Sequence, residues 1–204
     1  MNPFTVLTFI TAGVSILAFW NRRLLNNLLL YPYIMVRKNQ WYRIISHAFI
    51  HADWMHLLFN MIALWSFGEF VFHVLAGMTA SPVLHAMTLY FTAILFSSLP
   101  DIVKKRNSPD YASLGASGAV SAVVFFAILA DPWMMLYVFF IPCPGILFGI
   151  VYLLYSNYMS KRGGDIINHS AHLYGAVWGL LYPIFVHPGI YMDFIYKLLH
   201  PSLW

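Results

Sequence analysis

The sequence predicts an all-α membrane protein, a bundle of six transmembrane helices with an interfacial segment after the first. Composition is the first reason. Of 204 residues, 61% are hydrophobic and 9% are charged, where a soluble domain carries about 25% charged residues. Such a chain has too little polar surface to cover a soluble fold. The second reason is the spacing of the charges. No Asp, Glu, Lys or Arg occurs in residues 1–21, 54–68, 70–100, 111–130, 132–160 or 166–192. A spanning helix needs ~20 mainly apolar residues. In lipid the backbone must satisfy its own hydrogen bonds, which makes each span a helix.

The expected spans are residues 4–20, 55–75, 83–99, 115–131, 134–157 and 170–187, within a single membrane domain covering 1–204. The first lacks a basic leader, and its basic pair, Arg22 and Arg23, follows the apolar run. It reads as a retained helix, not a cleaved signal. The second continues past Glu69, which falls near its far end, where an ionised group can approach the interface. Between the first two spans, Asn21–Asp53 mixes Arg22, Arg23, Arg37, Lys38 and Arg43 with Tyr31, Tyr33, Trp41, Tyr42 and Phe49. That mixture suits a segment lying in the interface. Gly77, Ser81–Pro82 and Asp131–Pro132 mark short turns. Residues 188–204 are too short to span and read as a surface tail. Within them Ile190, Phe194, Ile195, Leu198 and Leu199 have helical spacing.

Composition also excludes functions. The net charge of +4 comes from eleven bases against seven acids. It describes loops at a lipid surface, not a groove for nucleic acid. Cys143 is alone, so there is no intrachain disulfide and no thiolate cluster for a metal. No cofactor is implied.

The second, fourth and sixth spans enter from the same side, so polar groups in their first turns lie at one depth. These groups are His56 and Asn60, then Ser117, then His169 and His172. Polar groups inside a membrane point to function by default. Ser117 sits between Gly115 and Gly118. It reads either as a nucleophile at a helix start, beside free N–H groups, or as part of a small-residue packing face. His172 precedes Gly175 and Gly179. It is either a base that takes and returns a serine proton, or a neutral core histidine. Close packing of the two small-residue faces favours a dyad of Ser117 and His172. His56 and Asn60 share a helix face. They can donate to a developing oxyanion or bridge helices, and His56 is also a candidate base. A metal site would draw on His47, His51, His56, His169 and His172 with Asp53 or Asp165. The box spacing is incomplete and His-Glu-x-x-His is absent, so no metal is expected.

With these residues assembled, the chain resembles the rhomboid family of intramembrane serine proteases over roughly residues 41–187. The likeness rests on His-Leu-Leu-Phe-Asn at 56–60, Gly-Ala-Ser-Gly at 115–118, and Ala-His-x-x-Gly-x-x-x-Gly at 171–179. The resemblance implies a six-helix rhomboid-like bundle. It implies Ser117 as nucleophile, His172 as base, and an oxyanion hole made by the Ser117 N–H with His56 and Asn60. Gly115 would let the backbone approach the substrate carbonyl. Substrates would be transmembrane segments of other proteins, and Pro142, Pro144 and Gly145 would weaken the fifth helix as a gate. The non-enzymatic alternative is an inactive rhomboid-like protein that binds membrane clients; both Ser117 and His172 are present, which favours cleavage. Many members carry a tyrosine one turn after the nucleophile, stacked on the histidine. Here that place is Ser121, leaving Tyr174 or Phe125 to hold His172. The family's Trp-Arg pair appears as Trp41-Tyr42-Arg43. Ten of the eleven basic residues follow the first, third and fifth spans. The positive-inside rule puts the site on the cytoplasmic side; the family places it on the opposite side, which is the expectation adopted. The expected location is the bacterial inner membrane.

Overall fold

The computed structural model describes residues 2–138, 140–162 and 168–201. The protein is mostly helical. Helix α1 (Pro3–Trp20) is started by the Asn2 side chain, which accepts from the Phe4 N–H, and by Pro3 in the first turn. Three short helices follow, α2 (Arg22–Leu28), α3 (Pro32–Arg37) and α4 (Arg43–Ser46). Next come the long helices α5 (Trp54–Met78) and α6 (Pro82–Lys105), and then α7 (Ser117–Ala130). A two-stranded hairpin, β1 (Met135–Val138) and β2 (Ile141–Pro144), leads into α8 (Gly145–Arg162). Helices α9 (His169–Leu181) and α10 (Ile190–Leu199) complete the described chain.

Among the described residues, α1, α5 and α6 are each long and apolar enough to cross a membrane. A fourth span arises if α9 and α10, bent by 117°, are counted as one. This is a multi-pass membrane protein. Helix α7 has 14 residues, about 21 Å of rise against a hydrocarbon core of about 30 Å. Every residue from Gly118 to Ala130 is buried, and α7 packs against α5, α6, α8, α9 and α10. It is the axis of the bundle, sheathed by the others. Its last turn meets α10, where Lys197 Nζ donates to the Ala130 carbonyl at 2.7 Å. A cation there complements the negative end of the helix.

The expected helix over 134–157 is corrected in nearly its first half. Met135 pairs with Pro144 and Val138 with Ile141 in an antiparallel hairpin, and the helix starts only at Gly145. Prolines lack the N–H that a helix interior needs, whereas an edge strand tolerates them. Pro142 and Pro144 therefore precede α8 and do not weaken it from within. The bonds from Gly145 N–H to Met134 O and from Ile146 N–H to Pro132 O fix the hairpin's base. The sixth expected span runs as α-helix only to Leu181 and tightens into a 3₁₀ turn over Tyr182–Phe185.

The segment between α1 and α5 is held by buried Arg43. Its Nε donates to Gln40 Oε1, and its Nη1 donates to the Asn26 and Leu29 carbonyls at 2.9 and 2.8 Å. An isolated bridge joins Leu30 to Ser113, with both N–H···O distances 2.9 Å. The interfacial segment is thereby tied to the strand-like approach to α7.

Candidate functional site

Ser117 is the first residue of α7. Gly115 lies outside the helix with φ +112°, a left-handed backbone that glycine adopts without steric cost. The turn is suspended from the interfacial segment, because the Gly115 N–H donates to the His47 carbonyl at 2.9 Å. A Cβ at Gly115 would stand 2.8 Å from His56 Cε1, 3.0 Å from His56 Nε2 and 3.9 Å from Ser117 Oγ. His56 and Ser117 thus flank one point, which only a residue without a side chain leaves open.

His56 is in the first turn of α5, where its own N–H donates to Asp53 Oδ1 at 2.8 Å and caps the helix. Asn60 is buried one turn on. Its Nδ2 donates to the His56 carbonyl at 2.8 Å, leaving its second N–H without a partner among the described residues. His172 comes from the first turns of α9. Asn168 Oδ1 caps that helix by accepting the Ala171 N–H at 3.0 Å.

Helices α7 and α9 meet backbone to backbone. The position of a Cβ at Gly175 overlaps the Gly118 carbonyl, and that of a Cβ at Gly179 overlaps the Ala122 carbonyl. Because 118 pairs with 175 and 122 with 179, the two helices run parallel. Their first turns, carrying Ser117 and His172, lie side by side. His56 is within electrostatic range of His172. Among the described residues no hydrogen bond joins Ser117 to His172, a spacing that such pairs often show without substrate.

Neither Tyr174 nor Phe125 holds His172 among the described residues. Two rings lie against it: Tyr152 of α8 nearly parallel, with centroids 6.1 Å and planes 21° apart, and His169 of its own helix edge-on, with centroids 6.0 Å apart. Tyr152 OH lies 2.6 Å from Ser121 Oγ.

Behind Ser117 lies a narrow polar pocket whose lining includes His47, Ser97, Ser98, Asp101, Ser113 and Asn168. Buried Asp101 of α6 accepts from Asn168 Nδ2 at 2.5 Å and from Ser170 Oγ at 3.3 Å. Asn168 Nδ2 also reaches Ser113 Oγ at 3.1 Å and Tyr111 OH at 3.3 Å. Two loop histidines complete the surround. Burial pushes His47 down to about 4. Burial, then the neighbouring His56, pushes His51 down to about 3. Ser15 Oγ donates to the Phe49 carbonyl, so it accepts from His51 Nδ1 at 2.9 Å. That tautomer leaves His51 Nε2 to accept the Ala116 N–H at 3.4 Å.

Sequence reasoning missed Tyr152, Asn168, Asp101 and the bonding of His51. A charged Asp101 at the end of an apolar run was a visible signal. Tyr152 in its apolar run was not. Among the described residues no three His, Cys, Asp or Glu side chains come together as metal ligands. Asp165, one acid considered for such a site, lies outside the described residues.

The chain is 29% identical over 185 residues to RHOMBOID-like protein 12, mitochondrial, of Arabidopsis thaliana, covering 84% of this chain and 55% of that one. It is 28% identical over 152 residues to the human presenilin-associated rhomboid-like protein, mitochondrial, covering 72% and 38%. It is 30% identical over 155 residues to rhomboid protein 1, mitochondrial, of Saccharomyces cerevisiae, covering 72% and 42%. The chain therefore spans about half or less of the length of these relatives. The model of the Rhomboid domain matches residues 38–189, a stretch that contains α5 to α9 and every candidate site residue, and on that match the chain belongs to the rhomboid family.

Proposed function

We propose that this protein is an intramembrane serine endopeptidase, built as a six-helix membrane bundle, that cuts transmembrane segments of other membrane proteins. The observation that carries the reading is the parallel backbone contact of α7 with α9 at Gly118–Gly175 and Ala122–Gly179. It supports a Ser117–His172 dyad, since the first turns of both helices are brought to one level. Ser117 Oγ attacks the scissile carbonyl while His172 takes its proton, and His172 then returns the proton to the leaving amine. The oxyanion is met by the Ser117 N–H, His56 and the Asn60 N–H that has no partner among the described residues. Gly115 leaves room for the carbonyl between them. The polar pocket reaching Ser117 is suited to hold the water that hydrolyses the acyl-enzyme.

A second reading is a client-binding protein that does not cut; a Ser117–His172 pair with no hydrogen bond between them among the described residues is compatible with it as well. The deciding experiment is labelling of the folded protein by a fluorophosphonate probe, with Ser117→Ala beside it. Labelling lost in the variant identifies an activated Ser117. A wild type that takes no label while remaining folded favours the client-binding reading.

A further inference from the structure

Ser121 has two neighbours and one proton. Its hydroxyl lies 2.8 Å from the Ser117 carbonyl and 2.6 Å from Tyr152 OH. A carbonyl only accepts, so Ser121 donates to Ser117 O, and Tyr152 must donate to Ser121. The tyrosine is thus hooked, through one serine, to the backbone of the proposed nucleophile. Its ring is fixed on other sides by Phe125 of α7, with centroids 5.4 Å apart, and Phe148 of α8, at 5.6 Å. The remaining approach is the near-parallel contact with His172. Three contacts therefore fix the Tyr152 ring, and that ring lies along one face of the imidazole while His169 meets it edge-on.

We infer that Tyr152 is the positioning residue for His172, acting from α8 through its ring and its hydrogen bond to Ser121. This inference rests on the protease reading and adds to it a consequence for α8. The glycines of α9 meet the backbone of α7, whereas Gly149 of α8 has side chains of α7, Phe125 and Ile128, as its nearest neighbours. The near-parallel support of the base is then present while α8 lies against α9. A segment that displaces α8 would take the stacked ring away from the imidazole.

The test uses the full chain in detergent micelles with a fluorophosphonate probe, read as the maximal labelling rate and the probe's apparent affinity. Tyr152→Leu should lower the maximal rate about ten- to a hundredfold, the size expected of a misplaced catalytic group, with the apparent affinity unchanged. Tyr152→Phe, which keeps the ring, should lose much less. Adding Ser121→Tyr to Tyr152→Leu supplies a ring from α7 and should recover most of the rate. A folded Tyr152→Leu labelling at the wild-type rate would overturn the inference, as would a loss that neither Tyr152→Phe nor the double variant relieves. A readout independent of catalysis is the His172 ring resonance, identified by its disappearance in His172→Gln. It should move in Tyr152→Leu and stay in Tyr152→Phe. If wild type takes no label, the protease reading fails and this resonance still decides the contact; a resonance unmoved in Tyr152→Leu overturns it.

Discussion

Gly175 of α9 lies against the backbone carbonyl of Gly118 in α7, with no space for a methyl group between them. The neighbour is backbone, which cannot swing aside as a flexible side chain can. Gly175→Ala must therefore push the helices apart, and overpacking of this kind costs about 1–3 kcal/mol. We expect a lower thermal midpoint in micelles and slower Ser117 labelling from the same sample. Gly13→Ala is the control, because nothing lies within 4 Å of its added carbon. Equal midpoints for the two variants would remove the backbone contact from the account.

The Asn60 N–H without a partner among the described residues gives the oxyanion hole a test separate from folding. Asn60→Ala gives up one bond to the His56 carbonyl and the donor proposed for the oxyanion. Removing one such donor typically costs about 10²–10³ in rate. Cleavage of a transmembrane substrate should fall by that much, with a thermal midpoint close to wild type. Ser117→Ala should abolish cleavage with the fold intact. Full turnover by Asn60→Ala would show that His56 and the Ser117 N–H suffice.

The parts of this molecule differ in how far their sequence discloses them. Helix α1 and most of α6 lie in charge gaps of spanning length, and α5 continues its shorter gap past the single charge of Glu69. The residues 135–144 sit in an equally apolar stretch, and hydropathy cannot separate strand from helix there. The prolines at 142 and 144 were the available signal, and they mark an edge strand instead of a weak helix. Ser117 and His172 are legible because polar residues among apolar ones stand out, and glycines beside them announce close packing. Tyr152 is illegible because its place is set by α8 against α9, a relation between segments that no local period records. Arg43 is visible as a charge, but its burial under three hydrogen bonds is a property of the folded loop.

The two loop histidines predict how stability depends on pH. His47 and His51 are held neutral, down to about 4 and about 3, against about 6.5 for an exposed histidine. Below 6.5 the unfolded chain takes up protons at both positions and the folded chain does not. Their contribution to stability is therefore full above about pH 6.5 and is lost as the pH drops from there through about 4 for His47 and about 3 for His51. The thermal midpoint should decline over that window. His51→Gln should flatten the decline, since glutamine does not titrate. A decline of unchanged steepness in His47→Gln and His51→Gln together would assign it to other groups.

Asn168 joins the cap of α9 to a buried acid, and its two roles can be separated. Asn168→Ala removes the acceptor of the Ala171 N–H, and loss of such a cap costs about 0.5–2 kcal/mol. Asn168→Asp keeps an acceptor for the cap but sets a second carboxylate against Asp101, with which the wild-type amide hydrogen bonds at 2.5 Å. If the cap were all that mattered, Asn168→Asp would match wild type. We expect it to be the less stable of the two variants at pH 7, because like charges at this distance repel and Asp101 is buried. Exchanging the pair, Asp101→Asn with Asn168→Asp, restores one acid and one amide and should recover most of the midpoint. Labelling of Ser117 should follow the same order, since the His172 N–H bonds to the Asn168 carbonyl at 3.2 Å in that first turn. An exchange variant no more stable than Asn168→Asp would mean that Asp101 serves its other partner, Ser170, rather than the cap.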